Sequence, residues 1–144
     1  MQRAAVVLAA LGLGCSCASR RPSEGVPDAD RSSLLLTPGL ARADGSARIV
    51  VRVEVRDGGG APVAGALVRL SASCPGIRFR QPEAADGQGI LLAEARSTSP
   101  GRCRVTALLT AKGRTVLLDR AGDLVFAPSS RVPGVDVFPF GRGP

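Results

Sequence analysis

The sequence predicts an all-β fold, an antiparallel sandwich of about seven strands over residues 33–128. Apolar residues recur at every second position through much of this region, which is the spacing of half-buried strands. Glycine or proline interrupts the chain about every eight to twelve residues, as turns between short strands do. The 18 glycines, 11 prolines and 44% hydrophobic content of the 144 residues suit one compact domain with many turns.

Residues 1–14 are predicted to be a lipoprotein signal peptide. Arg3 precedes an uninterrupted apolar run over residues 4–13, and this order of charge and apolar segment is typical of export signals. The run has about ten residues, whereas a helix that spans a bilayer needs about twenty. The segment is therefore expected to direct export and to be removed.

Residues 11–15 resemble the lipobox of bacterial lipoproteins, in which small residues precede a cysteine that becomes acylated. The resemblance implies that Cys15 carries the lipid and that the protein is held at the bacterial outer membrane or cell surface. Two acyl chains anchor a protein stably, where one chain gives only marginal binding. The alternative is ordinary signal cleavage near Cys17, which would leave a periplasmic or secreted protein.

Residues 15–32 are predicted to be a flexible tether because they are polar and cannot bury an apolar face. Structure is expected to begin near residues 34–36 and is clear from Arg48, where apolar residues alternate with mostly charged ones. The predicted strands from that point are residues 48–56, 66–74, 77–80, 89–97, 102–109, 115–118 and 123–126. Residues 129–144 lack a repeating pattern and are expected to form a loosely ordered tail.

Several motifs of the predicted domain resemble the bacterial immunoglobulin-like domain of group 1, the repeat type of invasin and intimin. Residues 57–68 are similar to its signature D-x-x-G-x-P-V-x-G-x-x-V, and residues 86–89 and 97–101 resemble its two later markers. Residues 43–47, ahead of a long alternating strand, also match. The resemblance implies an immunoglobulin-like sandwich used for adhesion, protein–protein interaction or structural spacing, with an envelope or surface protein as partner.

A second family shares part of this pattern. Residues 60–68 are also similar to the G-x-P-x-x-G-A-x-V motif of transthyretin-like and carboxypeptidase-regulatory modules, which carry a later D-G-x-G as residues 86–89 do. Glycine, proline and aspartate in both motifs supply the conformations and hydrogen bonds of tight turns. A module of this second type is the alternative to the immunoglobulin-like repeat.

Two of the four cysteines lie in predicted strands. In sandwiches of this kind the third and sixth strands are antiparallel neighbours, so the end of residues 66–74 is expected beside the start of residues 102–109. Cys74 and Cys103 both point inward by alternation, and a disulfide between them is expected in an exported protein. The alternative is two buried free thiols. A metal site is not predicted, because zinc takes about three or four Cys or His ligands and the sequence contains no histidine.

Enzymatic function is not expected. The sequence contains no histidine and no tyrosine, which removes the usual general base and the histidine-dependent nucleophile arrangements. Asp44, Asp57 and Asp86 each precede a glycine in a predicted turn. They are expected to cap those turns, with calcium binding as the alternative. No cofactor is predicted.

The net charge of +7 favours anionic partners. Arg69, Arg102 and Arg104 are expected on the outer face of two adjacent strands, where they would form a cationic surface for an anionic glycan or lipid. The alternative is a solvated face that keeps the domain soluble. Nucleic acid is not an expected partner, because single-strand binders stack bases on aromatic rings and the chain has only 4 Phe, with 0 Trp and 0 Tyr.

Overall fold

The computed structural model describes residues 24–119 and 122–129. Every regular element within these residues is a β-strand. The described part of the chain therefore contains no helix long and apolar enough to cross a membrane. The nine strands are β1 (Ser33–Thr37), β2 (Leu40–Arg42), β3 (Ile49–Glu54), β4 (Leu67–Ala72), β5 (Ile77–Arg80), β6 (Ile90–Ser97), β7 (Gly101–Ala111), β8 (Arg114–Leu118) and β9 (Asp123–Ala127).

The strands form two sheets packed face to face. The first sheet has the order β1, β3, β6, β5, and all of its neighbouring strands are antiparallel. The second sheet has the order β2, β9, β7, β4, with β8 paired to the later half of β7. One pairing in the second sheet, between β2 and β9, is parallel. The predicted antiparallel sandwich is otherwise confirmed.

Buried side chains of both sheets form one continuous core. In β3, Ile49, Val51 and Val53 are fully buried, and the residues between them are half-buried on the outer side. A shift of β3 by one residue would turn Arg52 and Glu54 into the core, so this alternation sets the register of β3 against β6. The second sheet supplies the opposite half of the core through Val68, Leu70, Val105, Ala107, Leu109, Leu118, Leu124 and Phe126.

Strand β2 is not predicted by the sequence. Exposed Leu40 and Arg42 flank half-buried Ala41, and a strand of 3 residues is too short to show a period. It forms because the chain passes from β1 in the first sheet to the edge of the second sheet, where Leu40 pairs with Val125 of β9. The strand therefore depends on a partner far along the chain.

The predicted tether overlaps the described residues at 24–32, and there the chain lies against the domain. Pro27 forms an isolated bridge with Asp57, and the Asp28 N–H donates to the Arg56 carbonyl at 2.8 Å. These bonds are made by the backbone, so polar composition did not reveal them. The ordered domain thus includes residues 24–32. Residues 1–23 and 130–144, which hold the rest of the predicted signal, tether and tail, lie outside the described residues.

Candidate binding surfaces

Cys74 and Cys103 form a disulfide with a Cα–Cα distance of 5.4 Å. Cys103 is buried in β7, whereas Cys74 is half-buried just beyond the end of β4. Beside the bond, the Ser73 N–H donates to the Arg104 carbonyl at 2.9 Å and continues the β4–β7 ladder. The disulfide is therefore confirmed, and it joins two neighbouring strands of the same sheet.

The aspartates that precede glycine cap their own turns, as predicted. The Oδ1 atom of Asp44 accepts from the N–H groups of Ser46 and Ala47, and Asp86 accepts in the same way from residues two and four positions later. Hydrogen bonds from the Ala47 N–H, the Ser46 hydroxyl and the Ser46 N–H lower the pKa of Asp44 to about 2. Within residues 24–119 and 122–129, no group of His, Cys, Asp or Glu side chains is arranged to hold a metal ion.

Asp57 also connects the segment before β1 to the rest of the domain. Its side chain accepts from the Gly25 N–H at 3.1 Å, and from the N–H groups of Gly59 and Ala61 at 3.0 and 2.9 Å. These bonds, the one from Gly25 foremost, hold the pKa of Asp57 below its usual range. Folding therefore favours the carboxylate form of Asp57. Its hydrogen bonds stabilise the fold fully above the ordinary carboxyl pKa, and this stabilisation is lost as the pH falls through the lowered pKa of the folded protein. The role is structural.

Arg69, Arg102 and Arg104 lie on the outer face of the second sheet, but they do not form a compact cluster. Arg69 of β4 pairs with Leu108, which lies about 13 Å along β7 from Arg104 at a rise of about 3.3 Å per residue. The Nε atom of Arg102 lies 3.8 Å from Oδ2 of Asp123, which offsets part of its charge. The structure thus places the predicted residues on one face without bringing all of them to one point.

The same face carries exposed leucines, which we call the leucine patch: Leu67, Leu108 and Leu117. Their exposed fractions are 48%, 39% and 53%. Leu108 and Leu117 are direct cross-strand partners, and Leu67 pairs with Thr110, two residues beyond Leu108. Alternation in β7 already assigns Leu108 outward, but it does not show which outward side chains become neighbours.

A groove of about 350 Å³ borders the leucine patch. Its lining includes Leu67 and Leu108 of the patch. It also includes one positively charged residue, Arg69, and one negatively charged residue, Glu83. The groove therefore combines apolar, hydroxyl-bearing and charged side chains, a mixture that also occurs in the contact surfaces of interacting proteins.

The outer face of the first sheet is mainly cationic, which the sequence pattern did not predict. Its carboxylates are each shared by two arginines: Glu54 lies 2.7 Å from Arg52 and 3.4 Å from Arg56. Glu94 lies 2.9 Å from Arg48 and 3.2 Å from Arg96. The arginines on or next to this face are Arg48, Arg52, Arg56, Arg78, Arg80 and Arg96. Positive charge exceeds negative charge there.

Two arginines on this face lie directly opposite each other on neighbouring strands. Arg78 of β5 and Arg96 of β6 are register partners. Arg96 hydrogen-bonds to Glu94, and this bond is the main reason why the pKa of Glu94 is lowered. Arg78 takes part in no ion pair within the described part of the chain. Its spacing from Arg80 places it outward, but the pairing with Arg96 arises only from the strand register.

Comparison with family models and solved structures agrees with this architecture. The model for the bacterial Ig-like domain (group 1) matches residues 31–119. The transthyretin-like alternative is not the family that matches. A comparison with curated proteins finds no match.

Among solved structures, the fold is similar to adhesin InvE of Yersinia pseudotuberculosis, with 21% identity and a TM-score of 0.60. It is also similar to invasin, described as a bacterial integrin-binding protein, with 25% identity and a TM-score of 0.52. A fragment of intimin in complex with the intimin-binding domain of its translocated receptor matches with 23% identity and a TM-score of 0.51. These similarities cover 74%, 65% and 65% of this chain, but only 29%, 19% and 32% of those chains.

Proposed function

The chain belongs to the bacterial Ig-like domain (group 1) family, and on this premise we propose that it is an exported, lipid-anchored module that binds a protein partner. The sandwich supplies the contact surface, and the N-terminal segment fixes the module at the outer membrane or cell surface. The similar solved structures include an adhesin and an intimin fragment bound to a receptor domain, which supports a protein as the partner.

The leucine patch is the observation that carries the proposal. Small soluble domains expose single apolar side chains at many places, whereas exposed leucines that lie near one another on one sheet offer a partner a shared apolar surface. The leucines come from β4, β7 and β8, so the paired strands hold them in fixed positions. A partner would gain from burying them without reordering the sandwich. No catalytic step is proposed, and the lack of histidine and tyrosine in the sequence supports a binding role.

Capture of the partner should depend on the leucine patch. The intact lipoprotein would serve as bait for crosslinking and pull-down from envelope extracts, followed by mass spectrometry. Replacing Leu108 and Leu117 together by serine should reduce capture of the partner by about tenfold or more, since burying the exposed surface of two leucines stabilises a complex by more than about 1.4 kcal/mol. Both side chains are exposed, so the fold should tolerate the change.

The matched control changes two leucines on the opposite sheet that are at least as exposed as Leu108 and Leu117. Leu35 and Leu92 are 57% and 56% exposed on the first sheet, where both pair with Arg52. Their replacement by serine removes at least as much exposed apolar surface and should leave capture unchanged. Equal losses in the two double variants would contradict a specific role of the leucine patch.

Anchoring in this proposal rests on Cys15, which lies outside the described residues. Acylation would attach the chain to the membrane, and residues 15–23 would separate the domain from the bilayer. Cys15→Ala should abolish labelling by a fatty-acid probe and move the protein from the membrane pellet to the soluble fraction. Cys17→Ala is the control and should keep both the label and the pellet. Label that survives in Cys15→Ala would refute the anchor.

A further inference from the structure

A shallow pocket of about 270 Å³ lies at the end of the first sheet where β5 begins and β6 ends. It lies on the sheet opposite to the one that carries the leucine patch. The residues that line it are Gly45, Gly76, Arg78, Arg96, Ser97 and Thr98. Its lining contains no aliphatic or aromatic residue, so its surface consists of two arginine side chains, the Thr98 side chain and backbone, while the buried Ser97 hydroxyl bonds to the backbone of Ser99.

The charge in this pocket is unbalanced. Arg78 and Arg96 are direct cross-strand partners, and like charges in such positions destabilise a sheet. The nearby carboxylate, Glu94, is already shared by Arg48 and Arg96, with Arg80 also acting on it. A bound anion between the two guanidinium groups would supply the missing negative charge.

The surrounding loops leave this position open. Gly45 and Gly76 have positive φ angles of 78° and 86° and present no side chain to the pocket. A Cβ atom at Gly45 would lie 3.2 Å from Cγ2 of Thr98, so a larger residue there would crowd the rim. The exposed Thr98 hydroxyl adds a group that both donates and accepts hydrogen bonds.

We propose that this pocket binds a carboxylate or phosphate group of an acidic polysaccharide. A planar guanidinium group donates two parallel N–H groups to either oxyanion. The exposed Thr98 hydroxyl and the glycine backbone suit a hydroxyl-bearing sugar, whereas the lining has no aliphatic or aromatic residue on which an apolar side chain of a peptide could pack. This interaction goes beyond binding of a protein partner and uses a different face.

Binding of defined polymers to the intact lipoprotein in detergent tests the proposal. Polygalacturonate presents carboxylates, phosphomannan presents phosphates, and polyglutamate presents carboxylates on a peptide. We expect binding to at least one of the two polysaccharides, weakened by added salt. Arg78→Gln should reduce that affinity by about tenfold or more, because a charge-assisted pair is lost. Arg78 is exposed and unpaired in the described part of the chain, so the variant should fold.

Arg114→Gln is the matched control, because it removes the same charge from an exposed position of β8 on the other sheet. It should change the affinity by no more than about twofold, as surface substitutions elsewhere do. Binding to only one polysaccharide supports the proposal and identifies the anionic group. Equal losses in Arg78→Gln and Arg114→Gln, equal affinity for polyglutamate, or no binding to either polysaccharide would each overturn it. None of these outcomes bears on the leucine patch, so the two proposals fail independently.

Discussion

Gly89→Ala should destabilise the domain by at least about 3 kcal/mol, since it combines an unfavourable backbone conformation with a clash against backbone atoms. The φ angle of Gly89 is +71°, and a Cβ atom there would lie 2.6 Å from the Val55 carbonyl oxygen and 3.0 Å from the Val63 nitrogen. Neither neighbour can move freely. The Val63 N–H donates to that same carbonyl at 2.9 Å, and the Val55 N–H donates to the Gly89 carbonyl at 2.7 Å.

Gly87→Ala is the matched control two residues earlier in the same turn. A Cβ atom at Gly87 would meet nothing within 4 Å, so this change should shift the free energy of unfolding by no more than about 0.5 kcal/mol. Urea denaturation followed by far-ultraviolet circular dichroism measures both variants, a suitable signal because the chain has no Trp and no Tyr. Equal midpoints for Gly89→Ala and the unmodified protein would show that the three segments do not meet as closely as described.

Removal of the disulfide should have an effect of similar size. Cys74 and Cys103 are 29 residues apart in sequence, and closing a loop of that length contributes about 3.6 kcal/mol in the chain-entropy model. Replacing both by alanine should therefore lower the free energy of unfolding by about 3 to 4 kcal/mol. The same denaturation experiment measures it, and reduction of the unmodified protein should produce a loss of similar size.

Cys17→Ala is the control for this prediction, because it removes a cysteine and leaves the bond between Cys74 and Cys103 intact. Its denaturation midpoint should match that of the unmodified protein. A double alanine variant that unfolds at the same urea concentration as the control would show that the bond does not stabilise the fold.

Several features were predictable because they depend on neighbours in the sequence. Alternation along β3 and β7 shows which side chains face the core, and it places Cys103 inward. Aspartate before glycine predicts a capped turn, as at Asp44 and Asp86, since these side chains bond to residues two to four positions later. The facing of a strand side chain and the capping of a turn are both decided by residues a few positions apart. A local sequence pattern is therefore sufficient to predict them.

Other features required the assembled sheets. Leu40 belongs to a strand only because Val125 lies beside it, and Pro27 is part of the domain only because Asp57 is within reach. The separation of Arg69 from Arg104 follows from the register of β4 against β7. A pattern that repeats every second residue specifies a face but not a position along the neighbouring strand.

The sequence by itself determined the class of fold, the inward and outward faces of the long strands, and the cysteines that can meet. Only the tertiary structure decided which outward side chains become neighbours, and these form the candidate binding surfaces. Leu108 meets Leu117, and Arg78 meets Arg96, through strand pairings that alternation does not encode. The physical reason is that the burial of a side chain depends on the two-residue period along its own strand. The neighbours of an outward side chain depend on the register between strands.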